Sequence, residues 1–130
     1  MDYVQFGSAG LRVSRLALGM GLRGQADEAA AEQLIHAALE GGINLFDCAN
    51  VYGLMDDRAF AGRSEHILGR ALRTHRDEVV ITSKVAGAVG PRPNDRGTSR
   101  YHMLREVERS LARLGTDRID VYQPPRRPCW

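Results

Sequence analysis

Lysine is all but missing from this chain: of its eighteen basic residues, every one except Lys84 is arginine. Arginine cannot release its proton or act as a compact point charge, so chemistry that needs either can use only Lys84. Cysteine is nearly as scarce. Cys48 and Cys129 are too few for a disulfide framework or a metal site, and a reducing cytoplasm is the compartment they suggest. No apolar run approaches the eighteen or so residues of a spanning helix. The start, Met1-Asp2-Tyr3-Val4-Gln5-Phe6-Gly7, has neither the basic nor the apolar part of a signal peptide, so no membrane is expected. A large excess of one charge is also missing. The net charge is +2, and arginines alternate with acids, as in Arg105-Glu106-Val107-Glu108-Arg109. That run reads as a solvated helix face, not a phosphate-binding stripe, which argues against nucleic acid.

What remains is a soluble globular composition, 43% hydrophobic and 26% charged, in 130 residues, enough for one domain. Residues 3–6 and 11–14 alternate around Gly7-Ser8-Ala9-Gly10 and predict a β-hairpin. Arg15 to Gly19 predicts a short buried strand. Asp27 starts a helix with Ala31, Leu34, Ile35, Ala38 and Leu39 as its apolar stripe, stopped by Gly41-Gly42. A strand from Ile43 to Asp47 follows, with Ile43, Leu45 and Asp47 on one face. Ser64 is the expected N-cap of a second helix burying Ile67, Leu68, Ala71 and Leu72. Arg70, Arg73 and Arg76 crowd its far end, where the macrodipole favours cations. Val79 to Lys84 is a third strand. After a long loop from Ala86 to Thr98, Ser99 caps a third helix with Leu104, Val107, Leu111 and Leu114 inward and Gly115 as its stop. Ile119 to Gln123 is the fourth strand. Strands alternating with helices through short connections imply a parallel sheet, with its site at the C-terminal strand ends.

Two chemistries compete for those ends. Gly19-Met20-Gly21-Leu22-Arg23-Gly24 matches the dinucleotide fingerprint G-x-G-x-x-G, with Asp47 ending the next strand as a ribose-binding acid would. Against it, Asp27 and Glu28 put two negative charges where a pyrophosphate would rest. The other reading joins Asp47, Tyr52 and Lys84. An acid that continues an apolar face needs a partner. Adjacent strands lie about 4.8 Å apart, so Asp47 and Lys84 can pair across their ends. An ammonium beside the Tyr52 phenol favours the phenolate, which suits proton transfer to a carbonyl.

The run Phe46-Asp47-Cys48-Ala49-Asn50-Val51-Tyr52-Gly53 resembles the segment of the aldo-keto reductases that supplies their aspartate and tyrosine. Gly62-Arg63-Ser64-Glu65 with Ile67-Leu68-Gly69 and Ala71-Leu72 is similar to the family's next helix, and Ile81-Thr82-Ser83-Lys84 to its lysine strand. Ser110-Leu111, Arg113-Leu114-Gly115-Thr116-Asp117 and Ile119-Asp120-Val121-Tyr122-Gln123 resemble the approach to its fourth strand. The resemblance implies a (β/α)₈ barrel, NADPH as cofactor and a small carbonyl substrate. It also implies Tyr52, Lys84 and Asp47 as catalytic residues, with Gly19, Met20, Gly21 and Asp47 beside the cofactor and no metal.

The departure lies after Gln123. Where the family places its catalytic histidine this chain has Pro125, within Gln123-Pro124-Pro125-Arg126-Arg127-Pro128-Cys129-Trp130. Two prolines cannot continue a strand ladder, and a whole barrel needs about 250 residues. The expectation is therefore half a barrel, truncated or frameshifted, in one domain: hairpin cap 1–14, β/α units 15–123 and a Pro/Arg tail 124–130. It has four strands, three helices, little or no activity alone, and unpaired strand edges that invite self-association. A non-catalytic, partner-binding half-barrel is the alternative function.

Overall fold

The computed structural model describes residues 1–21, 27–53, 58–85 and 87–124. Gly24, Pro125 and Cys129, and most of the expected tail, lie outside them. The elements are β1 (Tyr3–Gln5), β2 (Arg12–Ser14), β3 (Leu18–Gly19), α1 (Glu28–Glu40), β4 (Leu45–Asp47), α2 (Arg63–Ala71), β5 (Val80–Lys84), α3 (Arg100–Leu114) and β6 (Val121–Gln123). Short 3₁₀ turns at Arg58–Phe60 and Arg76–Glu78 precede α2 and β5.

The four later strands form one sheet in the order β3-β4-β5-β6, with every pair parallel. Helices α1, α2 and α3 cover one face, each packed on its neighbour. This sequential order is a partial (β/α)₈ barrel. It overturns the dinucleotide-fold alternative, in which the first strand would lie between the second and third. The antiparallel hairpin β1–β2 sits at the opposite end of the sheet from Asp47. Asn44 fixes it there, taking the Ser14 amide on Oδ1 at 2.7 Å and donating to Ser14 Oγ and the Arg12 carbonyl.

Phe46, Ile81 and Cys48 point into the helix layer and join Ile35, Ile67, Leu68, Leu72 and Leu114 in the core. The other face, carrying Leu45, Asp47, Thr82, Lys84, Val121 and Gln123, is the concave one. Several expectations shift accordingly. Strand β3 has two residues instead of five, and Leu16 is 60% exposed. Ile43 lies outside β4 and packs against the helix-side core, not on the face of Asp47. Leu34 is exposed, not part of a buried stripe. Gly62, in the left-handed region at φ 86°, is the N-cap of α2, and Ser64 points inward from its first turn instead.

Asp27 and Ser99 cap α1 and α3 as expected, accepting from the amides of Ala30 and His102. Arg70 and Arg76 do more than answer a helix dipole. Arg70 bonds Glu28 and Glu32 of α1, and Arg76 bonds the Asp120 carboxylate at 2.8 Å together with two backbone carbonyls.

The largest correction is α3. Its inward line is His102, Glu106, Ser110 and Leu114, three of them polar. Of the expected stripe, Leu104 is 46% exposed and Val107 and Leu111 are half-buried. Glu106, read as solvated, is 1% exposed.

Helices α2 and α3 meet closely at Gly69, where an added Cβ would lie 2.2 Å from the Leu114 carbonyl oxygen. Backbone cannot swing aside as a side chain can. Gly69→Ala should therefore cost about 3 kcal/mol through overpacking, measured as a lowered midpoint in urea. An unchanged midpoint would contradict this packing.

Candidate active site

Parallel pairing sets Asp47 opposite Thr82 and Lys84 opposite Gln123. Lys84 is two residues beyond Thr82 on the same face, so its side chain reaches back across the strand ends to Asp47. Its ammonium lies 2.5 Å from both Asp47 carboxylate oxygens and 3.1 Å from the Cys48 carbonyl. Thr82 Oγ1 donates to the same carboxylate at 2.6 Å. Both charged side chains are about one-third exposed, 32% and 30%. A pair this wet adds little stability; what it fixes is position. The ammonium is held over the Tyr52 ring, 4.8 Å from its centroid. Sequence had suggested the hydroxyl as the group facing Lys84; the structure places the ring face there.

The Tyr52 loop is tied to the sheet and both neighbouring helices. The Asn50 amide donates to the Lys84 carbonyl at 3.2 Å and the Tyr52 amide to Ala49. Ser64 Oγ, from α2, donates to the Ala49 carbonyl, while its amide donates to Tyr52. Asn50 Nδ2 donates to Glu106 Oε2 of α3 at 3.1 Å. Val51 lies against Gly87, where a Cβ would come within 2.5 Å of Cγ1, so the loop after β5 stands on the same rim.

Beneath the rim, Glu65 is fully buried, accepting from Ser83 Oγ and Arg113 Nε at 2.6 Å each. Burial, then the Glu65 charge, pushes the Cys48 thiol far up, so it stays protonated and inert. Tyr122 is enclosed on this side too; its hydroxyl has no hydrogen-bond partner among the described residues, and burial pushes its pKa up to about 12.

Thus Asp47, Lys84 and Tyr52 come together on one rim, with Gly21 beside them: a Cβ there would sit 3.9 Å from the Tyr52 ring. Gly19 and Met20 flank Asp47 through the parallel register and the Met20 amide bond to the Asp47 carbonyl. Sequence reasoning did not single out Asn50, Thr82 or Glu106, and it took Ser64 for a helix cap. A carboxylate at helical spacing among arginines carries no local mark of burial.

This rim geometry coincides with a match to the aldo/keto reductase family model over residues 15–126. The chain belongs to the aldo/keto reductase family. It is 41% identical over 132 residues to the uncharacterized oxidoreductase YrpG of Bacillus subtilis, covering 95% of this chain and 39% of that one. It is 36% identical to a probable voltage-gated potassium channel subunit beta of Arabidopsis thaliana, covering 93% and 36%. A solved structure from Pseudomonas aeruginosa, assigned to the aldo-keto reductases, superposes with a TM-score of 0.76 at 39% identity, covering 94% of this chain and 45% of that one. The chain therefore spans less than half the length of these relatives.

Two outcomes follow from the site's supports. Glu106→Ala leaves the buried Asn50 Nδ2 unanswered, while half-exposed Arg109 can turn to solvent, so it should cost about 1–3 kcal/mol; its denaturation midpoint checks this. Tyr122 binds its proton more tightly folded than unfolded. That stability is intact below pH ~10, the unfolded value, and is lost as pH rises towards 12. Wild type should thus lose stability across this window faster than Tyr122→Phe; parallel urea–pH curves for the two would contradict it.

Proposed function

We propose that the chain carries the acid–base part of an NADPH-dependent carbonyl reductase acting on a small aldehyde, ketone or sugar. What supports this most is the placement of the only ammonium side chain in the protein, clamped by Asp47 and held 4.8 Å from the Tyr52 ring centroid. Tyr52 donates its phenolic proton to the carbonyl oxygen as the carbonyl carbon is reduced, and the product is the alcohol. The ammonium offsets the charge left on the phenolate. Asp47 and Thr82 stop Lys84 from swinging out to solvent.

The rim suits part of a nicotinamide cofactor. Gly19 is exposed and a Cβ there would meet no described atom within 4 Å, and Gly21 puts no side chain against the Tyr52 ring, which suits the approach of a flat group. Gly19, Met20, Gly21 and Asp47 would hold it there, and NADPH when bound supplies the hydride. The described residues provide no more of the cofactor's bed than this. Turnover by the 130 residues alone is therefore feeble or absent, and the cytoplasm is the compartment proposed for the protein. A second reading, a non-catalytic auxiliary half-barrel, is favoured by the relative named as a potassium channel subunit.

The test appends the second half of a family member after Gln123, with Pro125→His, and follows NADPH oxidation with a reactive aldehyde. Activity should appear, and Tyr52→Phe in that protein should lower kcat by about 10²–10⁴-fold. The unmodified chain lacks the positioning worth about 7–11 kcal/mol. Robust turnover by the 130 residues alone would refute that assignment of roles, and an inactive but folded fusion would favour the auxiliary reading.

A further inference from the structure

The loop of residues 87–98, between β5 and α3, is held together from within. Asp95, only 8% exposed, is its hub. The Asp95 amide donates to the Arg92 carbonyl at 3.0 Å, its carbonyl accepts from Val89 at 2.9 Å, and its carboxylate takes the Arg92 amide at 3.1 Å. Gly90 lies so close that a Cβ there would fall 2.5 Å from Asp95 Oδ2. The loop's tie to α3 is Arg105, whose guanidinium donates to Asp95 Oδ1 at 2.6 Å and to the Asn94 carbonyl at 3.2 Å.

Two connections join this loop to the Tyr52 loop. At the rim, Val51 packs directly against Gly87. Behind the rim, Arg105 Nε lies 3.8 Å from Glu106 Oε1, and Glu106 Oε2 accepts from Asn50 Nδ2 at 3.1 Å. Asn50, two residues before Tyr52, also donates its amide to the Lys84 carbonyl. Of the two cations beside Glu106, Arg109 is 51% exposed and free to turn away. Arg105 is 22% exposed, and its guanidinium carbon is held 5.2 Å from the centroid of the Tyr101 ring as well. It is therefore the cation that stays, between one acid of the loop and one acid that grips the Tyr52 loop. Every member of this chain of contacts lies within β4 to α3.

We infer that Arg105 is a positioning residue for Tyr52: by holding Asp95 and Glu106 together it makes the 87–98 loop and the Tyr52 loop one body, and so fixes the tyrosine ring over Lys84 while touching neither. Without Arg105, Asp95 loses a charge-assisted bond. Buried Glu106 keeps only a cation that is half in solvent, and a buried carboxylate follows its cation, loosening its hold on Asn50. The bearing on turnover rests on the carbonyl-reductase reading above; the bearing on the geometry of the rim does not.

The 130-residue chain itself supplies the readout. Lysine labelled with ¹³C at Cε gives a single resonance, because Lys84 is the only lysine. The Tyr52 ring, 4.8 Å from the ammonium, displaces that resonance by its ring current. Tyr52→Ala supplies the undisplaced position. In Asp95→Ala and Arg105→Gln the resonance should move towards that position with far-ultraviolet dichroism unchanged, whereas Arg109→Gln should leave it as in wild type. Asp95 lies outside every helix and strand, so its variant carries the test should Arg105→Gln fail to fold. An unmoved resonance in Asp95→Ala overturns the inference. An equal displacement in Arg109→Gln overturns it too, since the link to Glu106 would then be one of charge alone. In the fusion with a family member's second half, Asp95→Ala should lower kcat by up to about 10²-fold and have no further effect once Tyr52→Phe is present. An inactive fusion in which the Lys84 resonance still moves as expected refutes the reductase reading and upholds the coupling. An active fusion indifferent to Asp95→Ala refutes the positioning role.

Discussion

A parallel sheet with helices on one face curves continuously, and four strands leave that curve open. This constraint links otherwise unrelated features of the chain. Each end of the sheet presents backbone donors and acceptors that need another strand. The sheet's inner face bears a mixture of Leu45, Val121, Asp47, Lys84 and Gln123, all half-buried. The apolar residues Leu104, Val107 and Leu111 of α3 are set off from the line that faces its own sheet.

Electrostatics divides the same structure into two layers. Beneath the helices, Glu65 and Glu106 are buried and answered by arginines, whose planar forks suit fixed, multi-partner contacts. At the rim, the single lysine meets Asp47 in a partly solvated pair. A buried Glu without its partners would be costly, so the arginines act as structural ties between helices and sheet. The rim pair has no comparable structural duty. That contrast gives the lone lysine its meaning: guanidinium serves where charge must be locked, ammonium where a compact charge must sit over a ring.

Much of this was legible in the sequence. The alternation of strands and helices, the Asp27 and Ser99 caps and the Gly115 stop rest on local signals, which residue type and spacing report directly, and the Asp47–Lys84 salt bridge followed from setting the ends of neighbouring parallel strands side by side. What escaped depends on contacts distant in sequence. Ser64 has the side chain of a cap, but Ala49 competes for it. Glu106 sits in an alternating charge run, and Asn50, fifty-six positions earlier, joins Arg109 in making its burial tolerable. Leu104, Val107 and Leu111 have helical spacing, and spacing cannot say whether a stripe faces its own sheet or a neighbour. Periodicity identifies an apolar face without identifying what covers it.

The supports of the rim bear on how such a site can be built. The Tyr52 loop takes its bonds from Ser64 of α2, Asn50 with Glu106 of α3, and the Lys84 carbonyl of β5. All of these lie within the four units present, and none needs the far side of a barrel. The Asp47–Lys84–Tyr52 arrangement is therefore set once α2 and α3 pack on β4 and β5. Gly19 and Gly21, by contrast, contribute no side chain to the rim, and the described residues form one side of the concave face. These units can thus hold a phenol ring and an ammonium in fixed relation. Holding a hydride donor against a carbonyl needs the wall opposite, since proximity is a property of two surfaces and not of one.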